Sequence, residues 1–351
     1  MVLENRINAF AELGTFLSQF SRDKIERKTA VLHNDLFFDA FKLQIKRAKE
    51  TNGWFTEDAI LHTFESWSNI LIKSKLTSWT SPYTLSDNEP KTIALIMAGN
   101  IPLVGFHDFL SVLMSGHKAL IKQSSNDTHF LPLIAKYLEY VEPKFKESIQ
   151  FIEEKLTDFD AAIATGSTNT ARYFEYYFGK YPNIIRKNRN SVAVLTGNET
   201  QEDLKNLGED IFQYFGLGCR SVSKLFVPEN YDFDNLFKAI YHYSDLINYI
   251  KYQHNYDYNK AIYLMSEFNL FENGFLMLKE DTSYSSPIAT LFFEYYEDIE
   301  NLKEKLQNDG DSIQCVVSNT LNNAVSFGQT QQPALNDYAD GVDTMAFLSN
   351  L

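Results

Sequence analysis

Apolar residues recur at helical spacing at the start of the chain, at Ile7, Phe10, Leu13, Leu17 and Phe20. A second stripe runs through Ala59, Leu61, Phe64, Trp67, Ile70 and Leu71, so the region before Pro90 is predicted to be helical. Trp79 to Pro90, with Ser81-Pro82 and Asp87-Asn88-Glu89-Pro90, predicts a loop. From Thr92 onward the pattern changes to short apolar runs separated by amphipathic stretches. Thr92 to Ala98 reads as a strand ending at Gly99-Asn100, followed by a helix from about Leu103 to Met114. Ala119-Leu120-Ile121-Lys122 is the next strand, and Leu131, Ile134 and Leu138 mark one face of the next helix. Ala161 to Ala164 runs into Thr165-Gly166-Ser167 and a further helix. This alternation predicts an α/β fold with a mostly parallel, doubly wound sheet. Such sheets bind ligands beyond the carboxyl ends of their strands, where Asn100, Lys122 and Gly166-Ser167 fall.

The second half repeats the alternation. Ser191 to Leu195 predicts a strand, and a helix over roughly Glu202 to Phe215 delivers the chain to Cys219. Further strands are expected at Ser221 to Val227, Ile288 to Tyr295 and Ile313 to Val317. No internal repeat and no low-complexity linker interrupts the 351 residues, which suffice for two domains.

Composition narrows the classes. The formal net charge is −14 and no basic cluster breaks it for long, so a nucleic-acid partner is not expected. Two cysteines build neither a disulfide framework nor a zinc cage; no metal site is expected, and a reducing, cytoplasmic setting fits. Met1 to Arg6 carries no apolar run, so no secretory leader is expected. The longest apolar stretch, Ile93 to Gly116, contains Asn100, Pro102, His107 and Asp108, and no membrane span is expected there.

The chemistry centres on Cys219, within Phe215-Gly216-Leu217-Gly218-Cys219-Arg220-Ser221. Small residues let the backbone approach a substrate closely, and the neighbouring arginine favours a thiolate. A nucleophile is one reading; a buried, inert cysteine is the other. Cys315, in Ile313-Gln314-Cys315-Val316-Val317, reads as a core strand residue, and His107 and His117 read as packing or capping residues.

Three segments stand in order: Ala98-Gly99-Asn100-Ile101-Pro102 with Gly116 to Ser124, then Ala164-Thr165-Gly166-Ser167-Thr168, then Gly216-Leu217-Gly218-Cys219. This order resembles the aldehyde dehydrogenase superfamily, with its Asn-x-Pro turn, strand ending in lysine, Thr-Gly-Ser helix start and nucleophilic cysteine. Within it, the Gly-Leu-Gly-Cys-Arg-Ser segment and Asp340-Gly341-Val342-Asp343 look most like the LuxC-type acyl-CoA reductases. The resemblance runs from about residue 90 to the end. It implies an aldehyde-dehydrogenase-like fold. The helical N-terminal region and a doubly wound cofactor domain would occupy residues 1–190, and an α/β catalytic domain with a C-terminal return segment residues 191–351.

The resemblance also implies roles. Cys219 would take the acyl group, and Asn100 would donate to the oxyanion beside the backbone N–H of Cys219. Lys122 would grip the adenosine ribose of a nicotinamide cofactor or its phosphate, Ala98, Gly99, Ser124 and Ser125 would join it in binding that cofactor, and Thr165-Gly166-Ser167 would place a helix start at its pyrophosphate. Plainer readings exist for each: Asn100 as a turn residue, Lys122 as a solvated charge, Gly166-Ser167 as a helix cap.

Two departures refine the expectation. Hydrolytic relatives keep a glutamate general base well before the cysteine, in a Glu-Leu-Gly-Gly segment. The matching stretch here is Arg186-Lys187-Asn188-Arg189-Asn190, with no carboxylate. Water needs such a base to attack an acyl-enzyme and hydride does not, so a reductase releasing aldehyde is expected, or the reverse acylating reaction. Ser125 stands where NAD-preferring relatives often place a glutamate, which points to NADPH, with NADH possible. The family's Glu-x-Phe-Gly-Pro segment is here Ser283-Tyr284-Ser285-Ser286-Pro287, so contacts near the nicotinamide differ. The expected substrate is an acyl-CoA or acyl-protein thioester, and the expected assembly a homo-oligomer. An acyl-phosphate reductase and a non-catalytic subunit retaining the fold are the alternatives.

Overall fold

The computed structural model describes residues 1–85 and 89–351. The chain divides into two compact units, Met1–Lys187 with Ala334–Leu351, and Asn188–Pro333.

The first unit opens with helices α1 (Leu3–Leu17), α2 (Asn34–Thr51), α3 (Glu57–Ile70) and α4 (Lys73–Thr80). The expected loop from Trp79 to Pro90 therefore starts after Thr80, and its residues 86–88 lie outside the described residues. The alternating segment then follows: β1 (Thr92–Ile96), α5 (Phe106–Met114), β2 (Lys118–Lys122), α6 (Leu131–Val141), β3 (Ile149–Phe151), β4 (Ala161–Thr165), α7 (Thr168–Phe178) and β5 (Asn183–Arg186). The five strands are all parallel, in the order β3-β2-β1-β4-β5. Strand order reverses between β1 and β4, which makes their carboxyl ends a topological switch point. Both faces are covered. Ile93 and Leu95 of β1 join the large aromatic core, while Ala94 packs with Ala162, Ala164 and Phe178 on the other face. The N-terminal helices belong to that aromatic core: Phe10 of α1 meets Phe106, Phe109 and Phe145 edge-on.

The second unit contains β6 (Asn190–Val194), α8 (Gln201–Phe212), β7 (Val222–Pro228), α9 (Phe233–Ala239), α10 (Ile250–Met265), β8 (Leu270–Glu272), β9 (Met277–Glu280), β10 (Thr290–Tyr296), α11 (Ile299–Asn308) and β11 (Ile313–Val317). Its sheet runs β11-β6-β7-β10-β9-β8, parallel except for the β8–β9 pair. Alternation again splits the strands: Leu225 and Val227 enter one core, Phe226 the other.

The domain boundary differs from the expected one. It falls after Lys187 rather than 190, and the tail with helix α12 (Thr344–Ser349) belongs to the first unit. Leu335, Tyr338, Met345 and Leu348 are buried in that unit's core. Trp79 donates to the Tyr338 hydroxyl at 2.8 Å, and Tyr83 donates to Asp343 at 2.9 Å. His107 and His117 bond the carbonyls of Leu335 and Leu348, each at 2.9 Å, so both histidines serve packing as expected. The N–H of Lys91 donates to His117 Nδ1, which leaves Nε2–H as the donor to Leu348. Arg186 completes the attachment. Buried at the end of β5, it makes a two-pronged pair with Asp108 at 2.7 and 3.3 Å and donates to Ala339 O and Thr344 Oγ1.

Candidate active site

In the first unit the register aligns Ile96 with Lys122 and with Ala164, so β1, β2 and β4 end side by side. Ala98, Gly99 and Asn100, then Lys122, Ser124 and Ser125, then Thr165, Gly166 and Ser167 thus lie at one sheet edge. Gly99 is required there: a Cβ would come within 2.7 Å of the Ser124 side chain, so only glycine lets the two loops touch. Lys122 donates to Glu154 O at 2.9 Å, which holds its ammonium at the strand end and leaves further donors on the same nitrogen. Ser167 is the N-cap of α7, its hydroxyl accepting from Thr170 N at 3.3 Å. The capping reading of Ser167 is correct, and the helix start still faces the edge where the expected cofactor residues gather.

The expected helix from Leu103 begins only at Phe106, because Leu103 adopts a left-handed conformation (φ 56°). Its N–H is held at 2.7 Å by Asp127, a carboxylate that sequence reasoning passed over. The second oxygen of Asp127 is buried with no hydrogen bond among the described residues, and burial pushes its pKa up to about 6. The folded state therefore holds this proton more tightly than the unfolded chain. Stability from Asp127 is full below about pH 4 and falls as pH rises through about 6. Asp127→Asn keeps an oxygen for Leu103 and removes the titration. Unfolding measured from pH 4 to 8 should show the wild type losing up to about 3 kcal/mol relative to the variant. Parallel curves for the two proteins would refute this.

In the second unit the expected helix before Cys219 stops at Phe212. Tyr214 (φ 55°), Phe215 (φ 58°) and Gly216 (φ 76°) then form three successive left-handed residues. For tyrosine and phenylalanine this costs about 1–2 kcal/mol each, so packing must hold them. Both are buried, and Phe215 stacks on Tyr249 at 5.0 Å between centroids. The reversal swings the chain out of α8 into a tight turn, closed by Ser221 N donating to Gly218 O at 3.0 Å, with Cys219 at its first corner. Gln331 donates to Ser221 Oγ at 3.3 Å.

The turn borders a cavity of about 230 Å³. Ile211, Phe212, Phe215, Tyr252, Leu276 and Ile288 form its apolar wall, while Cys219, Asn188, Arg189 and several serines line the rest. Ser285, Ser286 and Pro287, from the segment that departs from the superfamily pattern, are part of this lining. Ser223 holds that segment by donating to Tyr284 O at 2.7 Å, and buried Lys224 donates to Thr282 O just before it at 2.8 Å and pairs with Glu294 at 2.6 Å; burial lowers the pKa of Lys224. Among the described residues no aspartate, glutamate or histidine lines the cavity. Cys315 is in β11 as expected, but it does more than pack: its thiol bonds Ser191 Oγ at 3.0 Å. Burial pushes this thiol's pKa up.

Cys219 and Asn100 are thus carried by different units, the cofactor-type edge by the first and the thiol cavity by the second. Missed by sequence reasoning were Ser191, Asp127 and the aromatic brace of Tyr249 and Tyr252. None carries a local signal, since each acts through a partner distant in the chain.

Two parallel sheets, each with helices on its faces, and a cysteine on a tight turn define an aldehyde-dehydrogenase-like fold. Aldehyde dehydrogenase 21 from Physcomitrella patens, solved with succinate, matches all of this chain and 84% of its own at 12% identity and a TM-score of 0.63. An aldehyde dehydrogenase from Mycobacterium tuberculosis, solved with NAD+, matches 86% of this chain and 70% of its own (12% identity, TM-score 0.61). An E. coli NADP dependent enzyme matches 90% and 73% (10% identity, TM-score 0.61). Comparison with curated proteins gives no significant match. The acyl-CoA reductase (LuxC) family model matches residues 39–243, more than half of the chain, and the protein belongs to that family. No helix among the described residues is long and apolar enough to cross a membrane.

Proposed function

We propose that this protein reduces a fatty acyl thioester, on CoA or on a carrier protein, to the aldehyde with NADPH, through an acyl-enzyme on Cys219. The observation that carries the reading is the thiol cavity, whose lining among the described residues holds no carboxylate or imidazole. A hydrolytic enzyme must activate water, and that cavity offers no base to do it. The stretch that matches the hydrolytic relatives' glutamate segment opens with Arg186, whose guanidinium is committed to Asp108, Ala339 and Thr344.

The first unit fits a nicotinamide dinucleotide at its switch point. Gly99 lets the two loops close, Lys122 supplies a cation at the strand end, and α7 begins beside them. Ser125 is exposed at this edge, and a serine where NAD-preferring relatives often carry a glutamate favours the 2′-phosphate of NADPH over NADH. When bound, the cofactor supplies the hydride that reduces the acyl carbon.

The chain's own part is acyl transfer. The Cys219 thiolate attacks the thioester carbonyl, the C–S bond to CoA breaks, and the CoA thiolate leaves with that bond's electron pair. The apolar wall from Phe212 to Ile288 takes the first carbons of the acyl chain. After reduction the C–S bond to Cys219 breaks, the aldehyde departs, and the thiolate is restored. Asn100 as oxyanion donor rests on the family resemblance.

The test is cofactor oxidation across a series of acyl-CoA lengths with aldehyde trapping. Turnover with NADPH, slower with NADH, is expected. No turnover with any acyl-CoA or acyl-protein, alongside acylation by an acyl phosphate, would replace the thioester reading.

A further inference from the structure

Ser191 is fully buried on β6, and its hydroxyl meets two groups, Cys219 O at 2.9 Å and Cys315 Sγ at 3.0 Å. The strand is irregular on both sides at this point. The β6–β7 register shifts between Ser191 and Val192, and the β11–β6 register shifts between Ile313 and Val316, spanning Cys315. Such irregularities re-aim side chains beside active sites. Here they turn one hydroxyl toward the carbonyl of the candidate nucleophile.

Proton counting settles the directions. A carbonyl oxygen only accepts, so the single hydroxyl proton of Ser191 goes to Cys219 O. The Cys315 thiol must then donate its S–H to Ser191 Oγ. A thiol buried as this one is remains protonated and able to do so. A relay results, from Cys315 S–H to Ser191 O–H to the peptide that carries Cys219.

The geometry points to Ser191 as a positioning residue for the nucleophile, fixing the Cys219 peptide plane, with Cys315 orienting its hydroxyl. This rests on the reading of Cys219 as the nucleophile. Together with the Gly218–Ser221 turn bond and the Gln331 contact, it leaves the turn one orientation. Preorganisation of this kind matters because small misplacements of a reacting group reduce rate steeply.

The test is the alkylation rate of Cys219 by iodoacetamide against pH, read by mass spectrometry of the Cys219 peptide, which requires no substrate or cofactor. Ser191→Ala should slow Cys219 labelling by about tenfold or more. Ser191→Thr, retaining a hydroxyl, should recover most of the rate. Cys315→Ala should slow labelling measurably but by less than Ser191→Ala, since Ser191 loses its orienting thiol and keeps its bond to the carbonyl. Should Ser191→Ala fail to fold, Ser191→Cys replaces it, with a weak donor of similar size, and slower labelling is again expected. A wild-type labelling rate in Ser191→Ala or Ser191→Cys would overturn the inference. So would Cys315→Ala slowing labelling as much as Ser191→Ala, or a Cys219 that is inert in the wild type. Loss of acyl-CoA turnover with labelling still dependent on Ser191 would sink the reductase reading and leave this one standing.

Discussion

Cys219→Ala is expected to fold normally and to lose acyl-enzyme formation and aldehyde production by at least about 10⁴-fold, the scale on which removing a covalent nucleophile acts. That corresponds to more than about 5 kcal/mol of transition-state stabilisation. The fold should tolerate the change: Cys219 is half-buried in a turn closed by backbone atoms, and alanine keeps the carbonyl that Ser191 holds. A stability change within about 0.5 kcal/mol is expected. Acylation is read by intact mass after incubation with acyl-CoA, and stability by thermal unfolding. The second cysteine is an internal control. Cys315 is half-buried as Cys219 is, but desolvation raises its thiol's pKa, so mild alkylation should label Cys219 first and Cys315 slowly. Aldehyde formed by Cys219→Ala at the wild-type rate would end the acyl-enzyme proposal.

The second large effect lies at Arg186. Placing a glutamate at Arg186, the first residue of the stretch that matches the hydrolytic relatives' glutamate segment, should not produce a hydrolase. It should unfold the first unit. Arg186 is about as buried as a charge gets, with 4% of its side chain exposed, and Asp108 is 12% exposed. Removing one partner of such a pair costs about 3–5 kcal/mol, because the other charge stays buried and uncompensated. Arg186→Glu adds repulsion to that loss and also frees the carbonyl of Ala339 and the hydroxyl of Thr344. Against a typical total of about 5–15 kcal/mol, the loss is large enough to appear as insoluble or protease-sensitive protein. Arg186→Met with Asp108→Leu should recover part of the stability, since a buried pair replaced by apolar groups is often close to neutral, while Ala339 O and Thr344 Oγ1 still lose their donor. Chemical denaturation of the two variants checks both statements. A folded Arg186→Glu protein releasing carboxylic acid from the acyl-enzyme would show that the arginine had only displaced a base.

Asp127 and Ser191 illustrate why some of the site was illegible. A lone aspartate after Asn126 and a serine starting an apolar strand look ordinary in the sequence. Their roles come from Leu103 N and Cys219 O, which lie 24 and 28 positions away. The left-handed turn at Tyr214 and Phe215 was hidden for another reason. Neither residue favours that conformation, and only burial and stacking on Tyr249 hold it. The expected helix therefore ran to Phe215 and the real one stops at Phe212.

The alternation of apolar runs by itself determined an α/β fold with a mostly parallel sheet and a helical start, because strand and helix periods differ and each face must be buried. That there are two sheets, the second with an antiparallel edge pair, only the structure shows. Residue types and their order determined which strand ends carry Gly99, Lys122 and Ser167, and that Cys219 stands in a small-residue turn. Tertiary structure alone decided where the chain divides. The tail from Ala334 joins the first unit because Leu335, Tyr338, Met345 and Leu348 find their burial there, and because Arg186 draws Ala339 and Thr344 to it. It alone decided that Arg186 is a structural cation and that Ser191 holds the candidate nucleophile. Those outcomes depend on which distant groups meet in a water-poor interior, where an unpaired charge or carbonyl is costly, and local sequence does not encode that meeting.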